Sequence, residues 1–127
     1  MRAYLVEDNV AISDSLISAM DDMANVETVG IARSQAEAEA WLARHPGEWD
    51  VLIIDLFLEE GSGLGVVKKV ATRRPGQQVI VLTNYAEVAE DEALTCGADA
   101  VFDKLTGLEL FLEHLRQGRQ ENDLQRD

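Results

Sequence analysis

The arrangement that most constrains this chain is a set of short apolar runs, each ending in a polar residue. Val51-Leu52-Ile53-Ile54 leads into Asp55, and Ala3-Tyr4-Leu5-Val6 leads into the acid pair Glu7-Asp8. Val79-Ile80-Val81-Leu82 ends in Thr83, and Ala100-Val101-Phe102-Asp103 ends in Lys104. Runs of four or five Val- and Ile-rich residues predict strands buried on both faces. Parallel strands of this kind bring their final residues to one edge of the sheet, where open α/β sheets bind ligands. Three carboxylates, a hydroxyl and an ammonium would then share a small volume suited to Mg2+ and a phosphoryl group.

The 127 residues are the size of one domain, and 46% hydrophobic content is that of a globular chain. A net charge of −13 disfavours direct contact with nucleic acid or insertion at an anionic membrane. No apolar stretch approaches the length of a membrane span and no signal-peptide core follows Met1, so a cytoplasmic location is expected. The single Cys96 excludes an intramolecular disulfide, and the isolated His45 and His114 offer no metal-ligand spacing.

Strand and helix patterns alternate five times, which predicts a parallel α/β sheet covered on both faces. The predicted helices cover about residues 9–24, from Ser34 to before Pro46, 64–74, 87–96, and from Thr106 onward. Ser34 with Glu37, and Thr106 with Glu109, have the spacing of capping boxes. Gly97 is placed to end the fourth helix. Leu108, Phe111, Leu112 and Leu115 form the inward stripe of the last helix, with Leu110 on its outer face. Residues 1–117 are read as one domain and 118–127 as a polar, frayed C-terminal tail.

Magnesium takes oxygen ligands and keeps several waters, so Glu7, Asp8 and Asp55 form a sufficient donor set. Asp55, on the most apolar and therefore central strand, is placed to act as a nucleophile toward phosphorus. Lys104 would neutralise phosphoryl oxygens as a point charge, and Thr83 could donate a hydrogen bond to one.

In the order Glu7-Asp8, Asp55 with its turn to Gly63, Thr83, Gly97-Ala98-Asp99 and Lys104, the chain resembles the receiver domains of bacterial two-component response regulators. The resemblance covers about residues 2–117. It implies a flavodoxin-like (βα)5 fold, a doubly wound five-stranded parallel sheet in strand order 2-1-3-4-5. It also implies that Asp55 is the phosphoacceptor, with Mg2+ held by Glu7, Asp8, Asp55 and the backbone carbonyl of Phe57. The phosphoryl donor would be a sensor histidine kinase or a histidine phosphotransfer domain. Lys104 would contact the phosphoryl group, and Thr83 would move toward it. The activated surface would be helix four, strand five and helix five, which could also support a homodimer. Apart from Mg-dependent self-phosphorylation and dephosphorylation, no enzymatic activity is implied.

The chain departs from that pattern at several positions. Val101 stands where relatives carry a switch aromatic, Leu105 where they carry Pro, and Glu59 where many carry Pro. Phe57, Asn84 and Tyr85 occupy positions expected to modulate the lifetime of the phosphoryl group, and bulky Phe57 and Tyr85 would shield it from water. No output domain is expected after the last helix, which points to a single-domain regulator. A phosphorylation-independent binding module of the same fold is the alternative. An Asp-nucleophile phosphatase would need a second Asp where Phe57 stands, and a flavodoxin would need a Ser/Thr/Gly-rich phosphate loop after strand one.

Overall fold

The computed structural model describes the backbone through Gln125 and the side chains through Gly118. In chain order the elements are β1 Arg2–Val6, α1 Val10–Ala24, β2 Glu27–Ala32, α2 Gln35–Arg44 and β3 Val51–Ile54. They continue as α3 Gly63–Lys69, β4 Gln78–Thr83, α4 Ala86–Cys96, β5 Ala100–Asp103 and α5 Leu108–Gln125. The strands form one sheet in the order β2-β1-β3-β4-β5, with every neighbouring pair parallel. This is the flavodoxin-like topology that the resemblance implied.

The apolar runs build two cores because successive strand residues face opposite sides. Tyr4, Val6, Leu52, Ile54, Val79 and Val81 face one side with Ala38, Val66, Ala89 and Ala93. Ala3, Leu5, Val51, Ile53, Ile80 and Leu82 face the other with Leu16, Met20, Phe111 and Leu115. Central β3 is buried along its whole length, which places its C-terminal neighbour Asp55 in the middle of the rim.

On the first side Tyr4 stacks on Trp41, with ring centroids 4.0 Å apart, and Trp41 stacks in turn on His45. The β1–β2 pairing skips Val29, so Tyr4 lies opposite Gly30. A Cβ on Gly30 would come within 2.8 Å of the Tyr4 ring, so a side chain there is incompatible with this packing.

Local signals set most boundaries. The side chain of Asn9 accepts from the Ile12 amide, and Ser34 accepts from the Glu37 amide, satisfying free N–H groups at the starts of α1 and α2. Gly97 ends α4 at φ 121, a conformation that side chains resist.

Three boundaries differ from the sequence reading. Helix α3 stops at Lys69 instead of Arg74, because the Arg73 guanidinium takes over the carbonyls of Val70 and Ala71. The same side chain reaches the Gly97 carbonyl and Asp99, tying the unwound segment to the turn after α4. Before α5 the Asp103 side chain closes the turn after β5, accepting from the Leu105 amide at 2.8 Å and the Thr106 amide at 3.0 Å. The helix opens at Leu108 instead of at Thr106, with Phe111 N–H on the Gly107 carbonyl. Helix α5 itself continues to Gln125, through residues read as a frayed tail. Arg126 and Asp127, the last two residues of that expected tail, lie outside the described residues.

Candidate phosphoryl and metal site

The polar residues that end the runs meet at the C-terminal rim of the sheet. The ladder continues past the strands at this point: Glu7 N–H donates to the Ala32 carbonyl and Asp55 N–H to the Val6 carbonyl, both at 3.0 Å. The second bond holds the two acid-bearing segments side by side, and the first fastens Glu7 to the end of β2. Glu7 is 1% exposed and Asp55 8% exposed, so both carboxylates are largely removed from water.

Lys104 reaches between them. Its Nζ donates to Glu7 Oε1 at 2.5 Å and to Asp55 Oδ2 at 2.9 Å. Its backbone N–H donates to the Thr83 carbonyl, which sets the end of β5 against the end of β4. Burial pushes the Glu7 carboxyl above its ordinary range, against the opposing pull of Lys104. For Lys104, burial favours the neutral amine, but the bonds to Glu7 and Asp55 outweigh it and raise its pKa. The ammonium is therefore a fixed cation at the rim.

Asp8 completes the cluster. Oxygen atoms of Glu7, Asp8 and Asp55 all lie within 4.8 Å of one another. Mg2+ takes oxygen ligands and keeps several waters, so three carboxylates brought this close are donors of the right kind and number. The hard carboxylate donors and the open side of half-exposed Asp8 fit that cation. Asp8 Oδ2 accepts from the Glu59 amide at 2.7 Å, and Asp55 Oδ1 accepts from the Phe57 amide at 3.2 Å. The loop carrying Phe57 is thus tied to both acids. Phe57 also bridges to Ser62, and Gly63 N–H donates to the Leu56 carbonyl, which closes the loop tightly.

Thr83 is fully buried, and its hydroxyl accepts from the Tyr85 amide at 3.2 Å. Exposed Asn84 lines a cavity of about 370 Å³ with Ile12, Lys104 and Leu105. Phe57 and Tyr85 are each 57% exposed and meet edge to face, with ring centroids 5.0 Å apart, beside Asp55. Val101 packs partly buried against the α4 side of the core, while Phe102 points to the other side and meets Phe111.

Two residues absent from the sequence reading support the rim. Arg33 donates to the Glu7 carbonyl at 3.0 Å and to Ser13 Oγ at 2.8 Å. Gln35 Oε1 accepts from the Ser62 amide at 2.8 Å. Their only local signal is position, immediately after β2.

An acid cluster with a buried ammonium thus stands at the C-terminal rim of a doubly wound α/β sheet, a set of groups with the chemistry to hold a cation and a phosphoryl group. The chain matches the response regulator receiver domain over residues 3–116, and it belongs to that family. Receiver domains of two-component systems are phosphorylated on an Asp, bind Mg2+ in an acidic pocket and interact with histidine kinases or phosphotransfer proteins.

The chain is 31% identical over 116 residues to a protein-glutamate methylesterase/protein-glutamine glutaminase of Pseudomonas savastanoi, covering 88% of this chain and 32% of that protein. It is 29% identical over 113 residues to the DNA-binding transcriptional activator DevR/DosR of Mycobacterium tuberculosis, covering 87% and 51%. It therefore spans about a third to a half of these relatives, and what it contains is the receiver domain. Among solved structures, a CheY-like receiver from Methanospirillum hungatei is similar at TM-score 0.69 and 28% identity, covering 94% of this chain and 97% of that one. The response regulator domain of Thermotoga maritima CheB shares the fold at TM-score 0.80 and 23% identity, covering 93% and 95%. Among the described residues, no helix is long and apolar enough to cross a membrane.

Proposed function

We propose that Asp55 accepts a phosphoryl group from the phosphohistidine of a sensor kinase or histidine phosphotransfer protein, with Mg2+ held by Glu7, Asp8, Asp55 and the Phe57 carbonyl. The observation that carries this reading is the Lys104 ammonium, buried between Glu7 and Asp55 and beside Asp8. An Asp55 oxygen attacks phosphorus, the P–N bond to the donor imidazole breaks, and the imidazole leaves with a proton. Mg2+, when bound, supplies positive charge that stabilises the phosphoryl oxygens in flight. Lys104 supplies a second cation for those oxygens, at the cost of loosening its bond to Asp55. The loop amide of Phe57 orients the attacking carboxylate.

Once the phosphoryl group is in place, the Thr83 hydroxyl is its nearest neutral donor on β4. Drawing it in would pull on the bond it accepts from the Tyr85 amide at the start of α4. That links phosphorylation to the face of α4, β5 and α5, where Val88, Leu105 and Leu110 are 85%, 83% and 67% exposed. Val101 offers little volume to swing, so the Thr83–Tyr85 link carries the larger part of the switch. This face would meet a protein target or a second copy of the chain. A net charge of −13 argues against nucleic acid as the direct partner of this domain.

Incubation with Mg2+ and acetyl phosphate, followed by intact mass, tests the reading. One added phosphoryl group in the wild type and none in Asp55→Asn supports it. No addition, together with no beryllofluoride binding, would leave a receiver fold that works without phosphorylation. Continuous phosphate release from small esters would indicate a phosphatase instead.

A further inference from the structure

We propose that Arg33 and Gln35, on the connection between β2 and α2, form a brace that sets the spacing of the two metal-bearing segments. This assignment rests on the Mg2+ reading of Glu7, Asp8 and Asp55. Neither side chain reaches the acid oxygens in the described contacts, so both are positioning residues.

Arg33 holds the first segment. Its Nη1 donates to the Glu7 carbonyl at 3.0 Å and to Ser13 Oγ at 2.8 Å, and Ser13 Oγ donates onward to the Val10 carbonyl at 2.9 Å. Ser13 is fully buried, so this chain fastens the peptide of Glu7 to the first turn of α1. The position of Asp8, between those two anchors, follows from it.

Gln35 holds the second segment. Its backbone N–H donates to the Glu60 carbonyl at 3.1 Å, and its Oε1 accepts from the Ser62 amide at 2.8 Å. Its Nε2 donates to Glu39 at 3.1 Å, which fixes the rotamer from within α2. Gly61, at φ 94, packs on the Gln35 Cβ with no room for a side chain, and a Cβ at Gly65 would push the Gln35 amide out of its place. The loop that carries the Phe57 carbonyl is thereby seated on α2. Only Ser34, itself spent on capping α2, separates the two braces along the chain. The Glu59 amide on Asp8 closes the ring from the other side.

A metal site keeps its affinity only while its ligands hold their spacing, and outer supports of this kind are worth a measurable part of it. One net hydrogen bond corresponds to about three- to tenfold in an equilibrium constant. Because Arg33 and Gln35 sit on one short rigid connection, losing either end frees the spacing, and losing both frees little more.

Calorimetric titration of Mg2+ into wild type, Arg33→Met, Gln35→Met and the double variant tests this, with Met preserving the aliphatic stems. Expected are about three- to tenfold weaker binding in each single variant and a double variant weaker by less than the product of the two. In Mg-free protein, amide exchange at Ser62 should also accelerate in Gln35→Met, a readout that stands if the double variant fails to fold. Wild-type binding with both single variants within twofold of it, or effects that multiply fully, would overturn the brace. A wild type that binds Mg2+ no better than Asp8→Asn would sink the metal reading itself, and the brace with it.

Discussion

At the scale of single residues the site is a problem of one cation and three anions. Lys104 lies between two buried carboxylates, and removing one partner of such a group leaves charge without compensation. Lys104→Met should therefore destabilise the Mg-free protein by about 3 kcal/mol or more, read by urea unfolding. The same variant should bind Mg2+ more tightly, since the ion no longer competes with an ammonium for Glu7 and Asp55. Unchanged stability would mean that the ion pairs contribute nothing net to the fold. The exposed rings of Phe57 and Tyr85 raise a separate question about water. Phe57→Asn combined with Tyr85→Ala should shorten the lifetime of phosphorylated Asp55 several-fold, followed by phosphate release after excess donor is removed. An unchanged lifetime would assign the pair to covering apolar surface alone.

At the scale of elements, the ends of β1, β3 and β4 were legible because each polar residue there closes an uninterrupted run of four apolar residues, a length that suits a buried strand and is short for a helix. Asp55, Thr83 and the Glu7-Asp8 pair announce themselves in this way, whereas Lys104 follows the charged Asp103 on half-buried β5 and is marked less sharply. Arg33 and Gln35 do not, because their partners lie 26 and 27 residues away and no periodicity connects them. The early end of α3 escaped for a related reason, since Arg73 takes the nearby Val70 and Ala71 carbonyls while its guanidinium is anchored on the distant Gly97 and Asp99. Gly30 is another such case, meaningful only beside Tyr4. Gly30→Ala should displace the Tyr4–Trp41 stack and cost about 1–3 kcal/mol by urea unfolding, with a change in Trp41 fluorescence. The turn between β5 and α5 carries its own pH signature. Bonds from the Thr106 and Leu105 amides hold the Asp103 carboxyl below its ordinary range. A depressed folded pKa contributes stability above the unfolded value, and that contribution is lost as pH falls through the folded value. Asp103→Ala should thus be less stable than wild type at neutral pH, with the gap narrowing in the acid range below the usual Asp titration. A gap that stays constant as the pH is lowered would mean that the Asp103 charge contributes nothing to this turn.

At the scale of the whole molecule, charge is both abundant and uneven. A net charge of −13 works against compaction, while acids crowd the C-terminal rim. Lys69, Arg73 and Arg74 instead line a cavity with Trp49, a residue that lies just before β3. Monovalent salt should stabilise the protein by screening this repulsion, because exposed charges more than about 10 Å apart lose most of their interaction at 0.1 M ionic strength. Magnesium should do more than salt can. At matched ionic strength, a ligand that binds only the folded state at a hundredfold above its dissociation constant adds about 2.7 kcal/mol. Urea unfolding in MgCl2 against NaCl should show that increment in the wild type and most of it lost in Asp8→Asn. Asp8 is the least buried of the three, so its substitution removes a ligand without opening the core. Equal stabilisation by the two salts at matched ionic strength would mean that the cluster senses charge in bulk and holds no cation of its own.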